Sequence, residues 1–98
     1  MTLEEIKLLI LSGDYDYSAK VSNFLEDGWY SLEDLESCIL TAKKIYKKER
    51  DEVGDSVDGY KYTVLGRDTY GRRFYTCGKV KKAATGKFYF FITAHGAD

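Results

Sequence analysis

The amino-acid sequence predicts an α+β domain in which two or three N-terminal helices pack on one face of a three- to four-stranded antiparallel sheet. Three observations carry this. Helix-type apolar spacing with cap residues is confined to the stretch before Lys43, strand-like segments joined by short glycine-marked turns fill the stretch after Gly59, and proline is absent, leaving glycine as the punctuation. Ninety-eight residues at 44% hydrophobic content suit one core, so residues 1–98 are read as a single compact domain.

Thr2 can cap a first helix with Glu5 three residues on, and Leu3, Ile6, Leu9 and Ile10 form its apolar stripe before Gly13. Asp14 to Tyr17 reads as a polar connection. Ser18 caps a second short helix whose Val21, Phe24 and Leu25 share a face, with Gly28 at the stop. Ser31-Leu32-Glu33-Asp34 has capping-box spacing with acids at the positive end of the dipole. Leu32, Leu35, Cys38, Ile39 and Ala42 then share one side of this third helix, with Lys43 and Lys44 expected at its negative end. Ile45 to Arg50 fits either a helix extension or a lysine-guarded edge strand. After the polar loop from Asp51 to Gly59 come three strands, Tyr60 to Leu65, Arg72 to Val80 and Lys87 to Ala94. Turns as short as Gly66 to Gly71 and Lys81 to Gly86 require antiparallel neighbours.

Composition excludes several classes. The apolar run Leu8 to Leu11 stops at Ser12-Gly13-Asp14, far short of the roughly 20 residues that span a bilayer. The opening Met1 to Glu5 lacks a basic region, so the expected location is cytoplasmic. Cys38 and Cys77 have no CxxC spacing and no second His beside them, and are read as reduced thiols. Neither a metal nor a cofactor is expected.

Charge is unevenly placed. From residue 59 onward eight Lys/Arg face two Asp/Glu, whereas residues 1–58 carry seven against fourteen. The back half is therefore basic and aromatic, suited to neutralising phosphates and stacking bases. An ordinary half-exposed sheet has the same residue types. Strict alternation puts Phe74, Thr76, Gly78 and Val80, together with Phe88, Phe90, Ile92 and Ala94, toward the helices. Arg73, Tyr75, Lys79, Tyr89, Thr93 and His95 are then expected on the open face, with Arg67 and Arg72 near a turn at one end. His95 is the only histidine and hence the proton-transfer candidate. The acids of Asp14/Asp16, Glu33/Asp34/Glu36 and Asp51/Glu52/Asp55/Asp58 read as solvated caps and loops.

Two stretches carry a family resemblance. Tyr17 to Glu36, a helix, a glycine and a second capped helix, resembles the opening of small BrnT-like proteins and their relatives of unknown function, and Phe91-Ile92-Thr93-Ala94-His95 is similar to their closing strand. The resemblance implies a RelE-like fold and a toxin of a toxin–antitoxin pair, with RNA and an antitoxin-like protein as partners. It implies a metal-independent endoribonuclease in which the neighbouring ribose 2′-OH is the nucleophile. His95, Arg73 and Lys79 would be catalytic, while Arg67, Arg72, Tyr75, Tyr89 and Thr93 would hold substrate. Where relatives often show a His and two Arg, this chain has Ala19, Asn23 and Asp27. The alternative is a non-enzymatic protein-interaction module, a degenerate member of the same fold. The opposed charges of the two halves also allow copies to dock as a homo-oligomer.

Overall fold

Thr2 and Ser31 open helices in the same way. Each hydroxyl accepts from the backbone N–H three residues on, at 3.2 Å, and each backbone N–H donates to the side chain of that residue, Thr2 to Glu5 at 3.1 Å and Ser31 to Asp34 at 2.9 Å. These reciprocal boxes start α1 (Leu3–Leu11) and α3 (Leu32–Thr41), while Ser18 caps α2 (Ala19–Glu26) by accepting from the Val21 N–H. The computed structural model describes residues 1–97. Helix α3 stops one turn earlier than its lysines suggest, because Ala42 is extended and the Arg67 N–H donates to Thr41 Oγ1 at 2.8 Å. Lys43 and Lys44 thus lie in the bend beyond the helix and not in its last turn.

Among the described residues the sheet has five strands: β1 (Tyr15–Tyr17), β2 (Ile45–Arg50), β3 (Tyr60–Arg67), β4 (Arg73–Ala83) and β5 (Gly86–Gly96). Their order is β1-β5-β4-β3-β2, and all pairs are antiparallel except β1 with β5. The sheet is therefore mixed and has one strand more than expected. The stretch read as a polar connection is β1, which runs parallel to β5 from Tyr15↔Tyr89 to Tyr17↔Phe91. A three-residue strand whose partner lies at the far end of the chain has no local signal to find. The ambiguous Ile45–Arg50 is the edge strand β2.

All three helices cover one face. Ile6, Ile10, Val21, Leu35, Cys38 and Ile39 pack with Tyr62, Val64, Phe74, Val80, Tyr89 and Phe91 in a single buried cluster. A fully buried Ile or Phe contributes about 2 kcal/mol each. Two glycines permit the close approach. A Cβ on Gly66 would lie 1.9 Å from the Cys38 carbonyl oxygen, so α3 sits on the backbone of β3. A Cβ on Gly78 would lie 2.6 Å from the ring of Tyr89, which occupies that space.

One irregularity reverses half a strand. Between Cys77↔Thr93 and Gly78↔Phe91, β5 takes two residues to β4's one, leaving Ile92 as an extra residue. The carbonyls there are held by the start of α2: Phe91 O accepts from the Ser18 N–H at 3.0 Å and Ile92 O from Ser18 Oγ at 2.7 Å. Alternation before the bulge is inverted, so Tyr89 and Phe91 face the helices, while Phe90 lies opposite Lys79 on the open face. This corrects the expectation for Phe88, Phe90 and Tyr89. Ala94, beyond the bulge, faces inward as expected. Among the described residues no helix is long and apolar enough to cross a membrane.

Candidate nucleic-acid interface

The open face divides into two ends with different chemistry. At one end the loop between β2 and β3 folds over the sheet, anchored by the Val57 N–H donating to Val80 O at 2.9 Å. It brings Asp51 and Asp55 to Lys79, whose ammonium lies 3.4 Å from both Asp51 oxygens and 2.5 Å from Asp55 Oδ1; Lys81 reaches Asp55 at 3.3 Å. Lys79 is only 5% exposed, so it is not an open-face cation. Burial alone would lower its pKa, but Asp55 and Asp51 outweigh that and hold it above the ordinary lysine value. Acids from the front half thus neutralise part of the basic back half, which sequence counting could not register. Tyr89 is likewise lost to the surface, fully buried over Gly78.

At the other end the cross-strand register assembles a site. Arg67↔Arg73 and Leu65↔Tyr75 are partners between β3 and β4, and Tyr75↔His95 between β4 and β5. Ring contacts run across this row, with Tyr46 and Tyr75 centroids 5.5 Å apart and Tyr75 and His95 5.4 Å apart. Tyr46 reaches Tyr75 because β2 is irregular between Ile45 and Lys47, where Tyr46 is the extra residue. The neighbouring Tyr46 side chain, and after it partial desolvation, hold the Tyr75 pKa above its ordinary value. Beside the row lies a cleft of about 290 Å³, lined by Lys43, Lys44, Arg67 and Arg73 together with Thr41, Tyr46, Leu65 and Gly66. Among the described residues no acid lines it. Arg67 is steadied by donating to the Gly71 carbonyl at 3.0 Å.

His95 is exposed, and its Nδ1 donates to the Gly96 carbonyl at 2.8 Å. A carbonyl only accepts, so the neutral ring carries its proton on Nδ1 and leaves Nε2 as an acceptor. Thr93 lies one rung below, opposite Cys77, half-buried on the same face. Arg72 departs from the group: its Nε donates to Asp68 at 2.9 Å and its guanidinium sits 5.1 Å from the Tyr70 ring centroid, in the turn beyond the sheet. The geometry therefore brings Arg67, Arg73, Tyr75 and His95 together, with Thr93 adjacent, and separates Arg72, Lys79 and Tyr89 from them.

Sequence reasoning missed Lys43, Lys44 and Tyr46. Reading Ile45–Arg50 as an edge strand would have exposed the first two, since the helix must then end before them. The irregular residue that places Tyr46 had no signal. The thiols are unsuited to nucleophilic chemistry, because burial raises the Cys77 pKa and pushes that of Cys38 to about 11. Compared with protein-family models, with curated proteins and with solved structures, the chain finds no match.

Proposed function

We propose that this chain is a toxin-like protein that binds single-stranded RNA at the cleft beside the Tyr46–Tyr75–His95 row. The observation that carries the reading is the coincidence of four cationic side chains, Lys43, Lys44, Arg67 and Arg73, with a row of ring systems. Cations fix a phosphate backbone, and rings stack bases without regard to sequence. The helices-on-sheet architecture is compatible with the RelE-like fold that the family resemblance implies, and a RelE/BrnT-like relationship belongs to this proposal.

The same geometry supports metal-independent cleavage. In that step the His95 Nε2 takes the proton from a ribose 2′-OH, the 2′-oxygen bonds to the adjacent phosphorus, and the bond from phosphorus to the 5′-oxygen breaks. Arg67 and Arg73 offset the charge that builds on the phosphoryl oxygens. The leaving 5′-oxygen takes its proton from solvent, so the products end in a 2′,3′-cyclic phosphate and a 5′-hydroxyl.

A fluorescent single-stranded RNA tests both parts. Four phosphate contacts predict that log K falls with log salt at a slope of about −3. Arg67→Ala with Arg73→Ala lowers affinity at least tenfold and flattens that slope, whereas absence of binding at low salt overturns the proposal. Cleavage in EDTA that disappears in His95→Ala and in a 2′-deoxy substrate, with binding kept in both, supports the enzymatic part. Binding without any cleavage removes that part alone.

A further inference from the structure

A second concave surface lies where α2 gives way to α3 and faces the β3–β4 turn. It has a volume of about 700 Å³ and shares no lining residue with the cationic cleft. Trp29 and Tyr70 are 73% and 81% exposed at its walls, and Leu32 is 38% exposed between the helices and the turn. Large apolar groups left in water at one place mark an interaction surface.

The walls are braced. The Phe24 ring lies edge-on to Trp29 at 6.4 Å and 6.0 Å from Tyr30, which in turn packs edge-on against Phe74 at 5.4 Å. Asp34 ties α3 to the turn by accepting from the Thr69 N–H at 2.9 Å and its hydroxyl at 2.8 Å. A groove held in this way does not need to be ordered by its ligand.

Its charge selects the ligand. Asp34 is already committed to Ser31 and Thr69, and Arg72 is neutralised by Asp68 and lies over Tyr70. Glu26 and Glu33 remain as exposed lining acids with no ion pair among the described residues. An acidic rim over aromatic faces suits a guanidinium or ammonium flanked by apolar side chains. We infer that this groove docks a basic amphipathic helical segment of a protein partner, with its apolar face on Trp29, Leu32 and Tyr70 and its cations at Glu26 and Glu33.

Trp29 is the only tryptophan, so its emission reports occupancy directly. The probe is a helix-forming peptide of about 15 residues built from Leu, Ala and Arg, paired with a counterpart carrying Glu in place of Arg. The Arg peptide is expected to shift and saturate Trp29 emission, and the Glu peptide to leave it unchanged. Glu26→Lys with Glu33→Lys weakens the Arg peptide about tenfold while keeping the circular dichroism of the parent. Tyr70→Ala, a second exposed site, lowers its affinity as well. An equal response to both peptides, no response to the Arg peptide, or full affinity in the folded double variant overturns the inference. RNA binding at the other cleft is read separately by the labelled oligonucleotide, so neither result depends on the other.

Discussion

Tyr89 carries a hydroxyl into the core without finding a partner among the described residues, and burial pushes its pKa well up. An unsatisfied buried O–H costs about 1–3 kcal/mol, whereas the ring packs edge-on against Phe91 at 5.1 Å. Tyr89→Phe is therefore expected to raise stability by about 1 kcal/mol in urea unfolding. A loss of stability would mean that the hydroxyl is bonded. Lys79 is the opposite case, a buried charge whose partners are present. Lys79→Ala leaves Asp51 buried and unpaired and is expected to cost about 3 kcal/mol. The double variant Lys79→Met with Asp51→Asn should be less destabilised than the sum of its single changes, since the pair is then removed together. Additivity would deny the coupling.

At the scale of elements, the approach of α3 to the sheet sets the cleft. Gly66 lines that cleft and also bears the contact with Cys38, whose thiol is directed at the Phe74 carbonyl at 3.2 Å. Gly66→Ala drives a Cβ into backbone that cannot yield, so about 3 kcal/mol of stability is expected to go in thermal unfolding. RNA affinity should fall with it, because the bend holding Lys43 and Lys44 follows α3. The bulge at Ile92 is the other decisive element. It lets β5 present His95 beside Tyr75 at one end while committing Tyr89 and Phe91 to the core at the other.

For the whole molecule, acid is the sensitive side. Burial alone would raise the pKa of Asp34, but hydrogen bonds from Thr69 and Ser31 prevail and hold it below the usual carboxylate range; Asp68 is held down in the same way by Arg72 and Tyr70. Groups depressed in the folded state stabilise it above their unfolded pKa of about 3.9 and lose that contribution as pH falls through the folded values. Stability is thus expected to be level near neutrality and to drop below about pH 4, with Asp34→Asn flattening the drop. Lys79 has the reverse sign: its raised pKa gives stability present below about 10.4 and lost only in strong alkali.

Much of this was legible locally. The capping residues Thr2, Ser18 and Ser31, the buried stripe of α1 and that of α3 apart from the exposed Leu32, and the turns after Arg67 and Ala83 depend on neighbours within a few positions. So did the row of Phe74, Thr76 and Val80, because β4 keeps strict alternation. Half of the candidate site was also readable, since Arg67, Arg73, Tyr75 and His95 follow from register across short turns.

The amino-acid sequence alone determined the helical layer, the three long strands and the basic, aromatic character of the back half, all of which follow from propensity, spacing and composition. Only the tertiary structure decided which of those charges and rings meet solvent. The acidic loop that neutralises Lys79, the parallel pairing of β1 and the extra residue in β5 that buries Tyr89 each arise from contacts between residues remote in the chain. Their energies exist only once the layers have closed.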